Sequence, residues 1–170
     1  MSKQRLIQRL QWYYPLERVH AFITFPALII LVVSFNPFRT VFAATYGLLV
    51  CIVILWLGQH YWKIKLYRLK GMPVDQQKHL RIFLAGQRIS RLLLLIMPLV
   101  IILQYLLSSP HEFLSLLLIT FGANIFAALE YINYYHRQLM LDTLQDWNYV
   151  LRYKRLKIAS LKKDLLEKQL

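Results

Sequence analysis

The sequence predicts an all-α integral membrane protein: four transmembrane helices forming two antiparallel hairpins, both ends cytoplasmic, and an amphipathic helix at each end. Two observations carry this reading. The chain is 58% hydrophobic yet bears 21 Lys+Arg against 8 Asp+Glu, a net charge of +13. Apolar and charged residues also occupy separate blocks, whereas a soluble basic protein interleaves them along amphipathic elements. The mean hydropathy is +0.42, and the charge lies in short dense stretches flanking the apolar runs. That placement argues against nucleic acid as the source of the basic bias.

The predicted spans lie at about 19–35, 41–62, 88–107 and 113–135. Their apolar cores are near the length needed to cross a hydrocarbon layer of ~30 Å. Aromatic residues extend them, Tyr61 and Trp62 after the second span and Tyr131, Tyr134 and Tyr135 at the end of the fourth. These residues prefer the level of lipid head groups. The first run lacks a small-x-small cleavage site and reads as an uncleaved anchor. Residues 36–40 and 108–112 are short and contain Pro37 and Pro110, so each joins helices that turn straight back. Between the second and third spans, residues 63–70 continue the helix, Gly71 and Pro73 stop it, and Asp75 is the expected N-cap of the next.

Charge placement sets the predicted orientation. Every Lys and Arg except Arg39 falls in the N-terminal segment, the middle connection with its helix ends, or the C-terminal tail. The positive-inside rule therefore puts these on the cytoplasmic side of a bacterial-type inner membrane. Residues 1–136 form the transmembrane domain, opening with a short interfacial helix that ends near Pro15. Residues 137–170 form a basic amphipathic tail. In the tail, Met140, Leu144, Trp147, Leu151, Ile158, Leu161 and Leu165 recur at helical steps, interrupted by Lys154. Such a helix could lie on anionic lipid, pair as a coiled coil, or dock under the bundle.

Polar residues at membrane depth are the candidate site. In the first helix, Glu17, His20, Thr24, Ala27 and Ser34 make a polar-to-small stripe expected to face the other helices. In the second, Ala44, Gly47, Cys51 and Gly58 form a small-residue stripe, with Gln59 level with Glu17. In the fourth, Ala123, Ala127, Glu130 and Tyr134 place Glu130 towards the bundle, with Asn133 and Arg137 nearby. Arg88 and Arg91 are one turn apart on the third. Arg91 and Glu130 stand at similar separations from the outer turn, which suggests an ion pair. The histidines, His20, His60, His79, His111 and His136, do not converge as haem or metal ligands. Cys51, the single cysteine, is expected to be a packing residue.

No hydrolase, kinase or phosphate-binding motif appears, and the sequence names no cofactor. The leading expectation is a non-enzymatic scaffold or interaction protein. Its tail residues Arg152, Lys154, Arg155, Lys157, Lys162 and Lys163 would meet anionic lipids, a membrane protein partner or a second copy. The alternatives are a membrane enzyme or redox subunit built on the polar cluster, and a small transporter or transporter subunit.

Overall fold

The computed structural model describes residues 3–169. They are helical, with one isolated antiparallel bridge between Arg137 and Ile158 among the described residues. Helix α1 (Lys3–Val19) passes through a π-helical turn (His20–Thr24) into α2 (Phe25–Phe35). Then follow α3 (Phe38–Leu69), α4 (Gln76–Leu107), the short α5 (Pro110–Ser115), α6 (Leu117–Tyr135), α7 (Leu144–Tyr153) and α8 (Ser160–Leu166). Four helical stretches are long and apolar enough to cross a membrane: Lys3–Phe35, Phe38–Leu69, Gln76–Leu107 and Leu117–Tyr135.

Helix α3 is the axis. It packs against α6, α4, α1 and α2, whereas α4 and α6 touch each other little. Its small residues explain this position, because they let neighbouring backbones approach. A β-carbon at Gly47 would lie 2.9 Å from the Asn124 backbone nitrogen of α6. The Tyr134 ring occupies the space beside Gly58, and Leu57 fills the gap at Gly86 of α4. The predicted stripe Ala44, Gly47, Cys51 and Gly58 is buried throughout. Outward-facing side chains are mostly large and apolar, as on α4, where Leu92, Leu95, Leu99, Ile102 and Leu106 are exposed.

The first helix departs from expectation in two ways. It does not end near Pro15, which lies inside α1, so the anticipated interfacial helix and first span form one stretch, Lys3–Phe35. And the polar-to-small stripe holds for only half its length. Glu17 is buried and His20 and Thr24 are half-buried, but Ala27 and Ser34 are exposed, while Ala21, Phe25 and Val32 face inward. The π-turn accounts for the change. The Phe25 N–H reaches the His20 carbonyl, five residues back, so one extra residue enters the turn and rotates the following helix by about 100°. The turn directly precedes Pro26, whose ring would clash with the carbonyl four residues earlier in a regular helix.

At the connection between α3 and α4, the residues behave as their chemistry dictates. Gly71 adopts φ +76°, and the Asp75 side chain accepts from the Lys78 N–H at 3.0 Å. Near Arg39, Glu112 and Ser109 form a capping box for α5, and Leu116 separates α5 from α6. The last long helix thus begins at Leu117, later than residue 113. Beside this turn, Gln104 accepts from the Ala43 N–H at 2.8 Å and donates to Thr120 at 3.1 Å. Asn124 donates to the Ala43 and Thr120 carbonyls at 2.9 and 2.7 Å. Three helices are thereby cross-linked through buried polar groups.

The tail is not one amphipathic helix. Lys154 takes a left-handed conformation, φ 49°, that terminates α7. The chain then turns back, and the Gln138 N–H donates to the Lys157 carbonyl at 2.9 Å. This return brings α8 against α6 and α4, so docking on the bundle prevails over a coiled coil within these residues.

Candidate functional site

The C-terminal segment is held to the bundle by a few charged contacts. Tyr61, on the last turns of α3, donates its hydroxyl to Asp164 Oδ2 of α8 at 2.7 Å. Lys65, one turn further on, donates to the same oxygen at 2.9 Å and to the Tyr61 hydroxyl at 2.6 Å. Arg9 of α1 pairs with Asp142. Asp146 accepts from Thr143 at 2.6 Å and from Lys157 at 2.7 Å. Burial alone would raise the Asp146 pKa. The hydrogen bonds from Lys157 and Thr143, with the charges of Lys157 and Arg9, outweigh that and hold it below the usual carboxylate range.

Between α1, the ends of α3 and α6, and this segment lies a cavity of about 160 Å³. One part of its wall is polar: Arg9, Glu17, Lys65, Asn133 and Tyr134. Apart from Gln138 and Ser160, the rest is apolar and aromatic, with Leu10, Tyr13, Trp62 and Leu161 among its residues. Glu17 is 9% exposed, and its Oε2 makes no well-formed hydrogen bond among the described residues. Tyr134 is 3% exposed, and its hydroxyl sits beside Glu17 and Trp62 without a well-formed hydrogen bond among the described residues. Buried polar atoms of this kind cost about 1–3 kcal/mol each when left unsatisfied. Asn133, also in the wall, accepts from the Leu139 N–H at 2.9 Å and so shapes the chain leaving α6.

Glu17 and Asn133 therefore line one cavity, as two members of the expected polar cluster. The others are dispersed. His20 bonds Thr24 at 3.2 Å within the π-turn. Gln59 is buried in α3, and Glu130 is half-buried without a cation within 4.0 Å. Arg88 and Arg91 are exposed on α4, and the anticipated Arg91–Glu130 ion pair does not form. The reason is geometric. α4 and α6 each lean on α3 rather than on each other, so equal depth does not bring their side chains together. Arg137 donates to the Leu156 carbonyl at 3.3 Å.

No family model matches the chain, and no curated protein or solved structure is significantly similar to it. The site is thus read from its own chemistry.

Of the tail cations, Lys157 is engaged with Asp146, while Lys163 reaches Glu167 only at 3.8 Å. Arg152, Lys154 and Arg155 are exposed and have no carboxylate partner among the described residues, and Lys162 is half-buried. His136 is held below the usual imidazole range by partial burial and then by the charges of Lys162 and Arg91.

The sequence reading missed Arg9, Tyr61, Lys65, Asp142, Asp146 and Asp164. A signal for the last three existed. With only 8 acidic residues in so basic a chain, each carboxylate has a cation to find. It also missed that His60 and His79 meet at 3.1 Å. His60 turns away from the small-residue seam, but α3 has neighbours on several sides, and α4 covers that face. Among the described residues, no group of three or more potential metal-ligating side chains occurs.

Proposed function

We propose that this protein is a multi-pass scaffold of a bacterial-type inner membrane that presents a cationic cytoplasmic surface to anionic lipids. In this reading, the four long helices cross the bilayer as two antiparallel hairpins. The N-terminal segment, the α3–α4 connection and the C-terminal segment all lie in the cytoplasm. One observation carries the proposal: the aspartates on that side are engaged internally while many cations are not. Asp142, Asp146 and Asp164 pair with Arg9, Lys157 and Lys65, and Asp75 caps α4. Arg68, Lys70, Arg81, Arg88, Arg152 and Arg155 remain exposed without a carboxylate partner among the described residues. A surface so unbalanced attracts anionic head groups at roughly 1 kcal/mol per nearby cation.

The transporter alternative needs a polar route through the bilayer. Gln104, Thr120 and Asn124 are instead bonded to each other and to the backbone of Ala43, which favours a structural role.

The test uses the full chain, because the C-terminal segment is docked on the bundle. Native mass spectrometry after mild extraction should show more phosphatidylglycerol than phosphatidylcholine retained, with the excess falling as salt rises. Replacing Arg152, Lys154, Arg155 and Lys163 by Gln together should remove much of that excess. Equal retention of both lipids by the unaltered protein overturns the reading.

A further inference from the structure

We propose that the cavity between α1, α3, α6 and the C-terminal segment binds an ethanolamine phosphodiester head group, with its primary ammonium on Glu17. The first argument is the unmet bonding in the wall. Glu17 Oε2 and the Tyr134 hydroxyl are buried side by side in the cavity wall, and neither makes a well-formed hydrogen bond among the described residues. The Tyr134 hydroxyl is not free to swing to water, since its ring is seated against Gly58. The second is isolation from any cation. Among the described residues, no Lys, Arg or His nitrogen comes within 4.0 Å of Glu17, and a buried carboxyl group is costly without a strong donor.

The nature of the cation follows from the wall. Tyr13, Trp62 and Tyr134 supply aromatic surface, which attracts organic cations. A metal ion would need several converging ligands, and no such group occurs among the described residues. Oxygen acceptors need donor hydrogens, which a primary ammonium carries and a quaternary one lacks. Arg9 and Lys65 also line the cavity, each already bonded to a carboxylate of the C-terminal segment. Their remaining N–H donors suit the adjoining phosphodiester. At about 160 Å³, the space suits a head group rather than a whole lipid. The site is separate from the exposed cations of the proposed function and does not depend on them.

The ligand can reach the cavity as phosphatidylethanolamine or as a soluble phosphodiester, and one experiment separates the two. The full chain in detergent is titrated with phosphatidylethanolamine, phosphatidylcholine and glycerophosphoethanolamine, and binding is followed by native mass spectrometry. The ethanolamine lipid should bind one per chain and in preference to the choline lipid. Glu17→Gln should weaken it roughly tenfold or more, the loss of one charge-assisted hydrogen bond. Tyr134→Phe keeps the ring against Gly58, removes only the hydroxyl, and should also weaken binding; it carries the test should Glu17→Gln fail to fold. Binding of the soluble compound as well assigns recognition to the head group alone, and binding of the lipid alone assigns the bilayer as its source. Equal affinity for the choline lipid, no binding of either ethanolamine compound, or unchanged affinity in a folded variant overturns the proposal. The four-Gln surface variant should bind the ethanolamine lipid like the unaltered protein.

Discussion

Gly47 and Gly122 sit on helices that face one another's neighbourhood, yet they should respond oppositely to a methyl group. At Gly47 the new carbon would press on the α6 backbone at Asn124, and backbone cannot rotate aside. At Gly122 nothing lies within 4 Å. Gly47→Ala should therefore destabilise by about 1–3 kcal/mol, the usual cost of overpacking. Gly122→Ala should be neutral or stabilise by up to about 1 kcal/mol through helix propensity. Thermal unfolding of the purified chain checks both, and equal shifts would contradict the packing of α3 on α6. The importance of Gly47 was legible in the sequence, because small residues at helical spacing mark a helix–helix seam. The absence of an Arg91–Glu130 pair was not. Counting residues from a turn gives depth, but the lean and rotation of α4 and α6 depend on what else they touch.

The C-terminal segment is the element whose placement depends most on charge. Asp164→Asn leaves the shape but weakens its bonds with Tyr61 and Lys65, so α8 should loosen. Amide exchange across residues 160–166 should rise on the order of tenfold, from the loss of charge-assisted bonds, while exchange in α3 stays unchanged. Unaltered exchange in α8 would mean that apolar contacts such as Leu161 hold it alone. Acid should loosen the segment further. The Asp146 pKa is below its unfolded value near ~3.9, so its contribution is complete above that pH and is lost as pH falls through the lower folded value. Exchange in residues 144–159 should thus rise below about pH 4, and Asp146→Asn should flatten that rise. A rise centred well above this range would rule out Asp146 as the titrating group. Helix existence was readable here from the apolar spacing. The break at Lys154 and the π-turn before Pro26 were not, because each is a local adjustment to tertiary packing that a steady 3.6-residue period does not encode.

Orientation is a property of the whole chain, and it rests on how completely charge is sorted. At the end of the bundle where α2 turns into α3 and α4 into α6, Arg39 and Glu112 carry opposite charges and pair at 2.9 Å. The Ser109 N–H and side chain hold Glu112 below the usual carboxylate range, and Arg39 adds to that, so it stays ionised. One end of the bundle therefore has almost no net charge, while the exposed cations gather at the other. Inverting the molecule would move all of those cations across the bilayer to bring back a single neutral pair. The proposed orientation therefore makes a sharp expectation about accessibility. In a Cys51→Ser background, a membrane-impermeant maleimide should label His111→Cys in intact spheroplasts. It should reach Asp75→Cys and Arg155→Cys only after permeabilisation. Both substituted sites outside the apolar spans are exposed, as is His111, so failure to label would reflect the membrane and not burial. The opposite pattern would place the cationic face outside. Mixed labelling of Asp75→Cys and Arg155→Cys would show that one of α4 and α6 does not cross the membrane, since the two positions flank the pair.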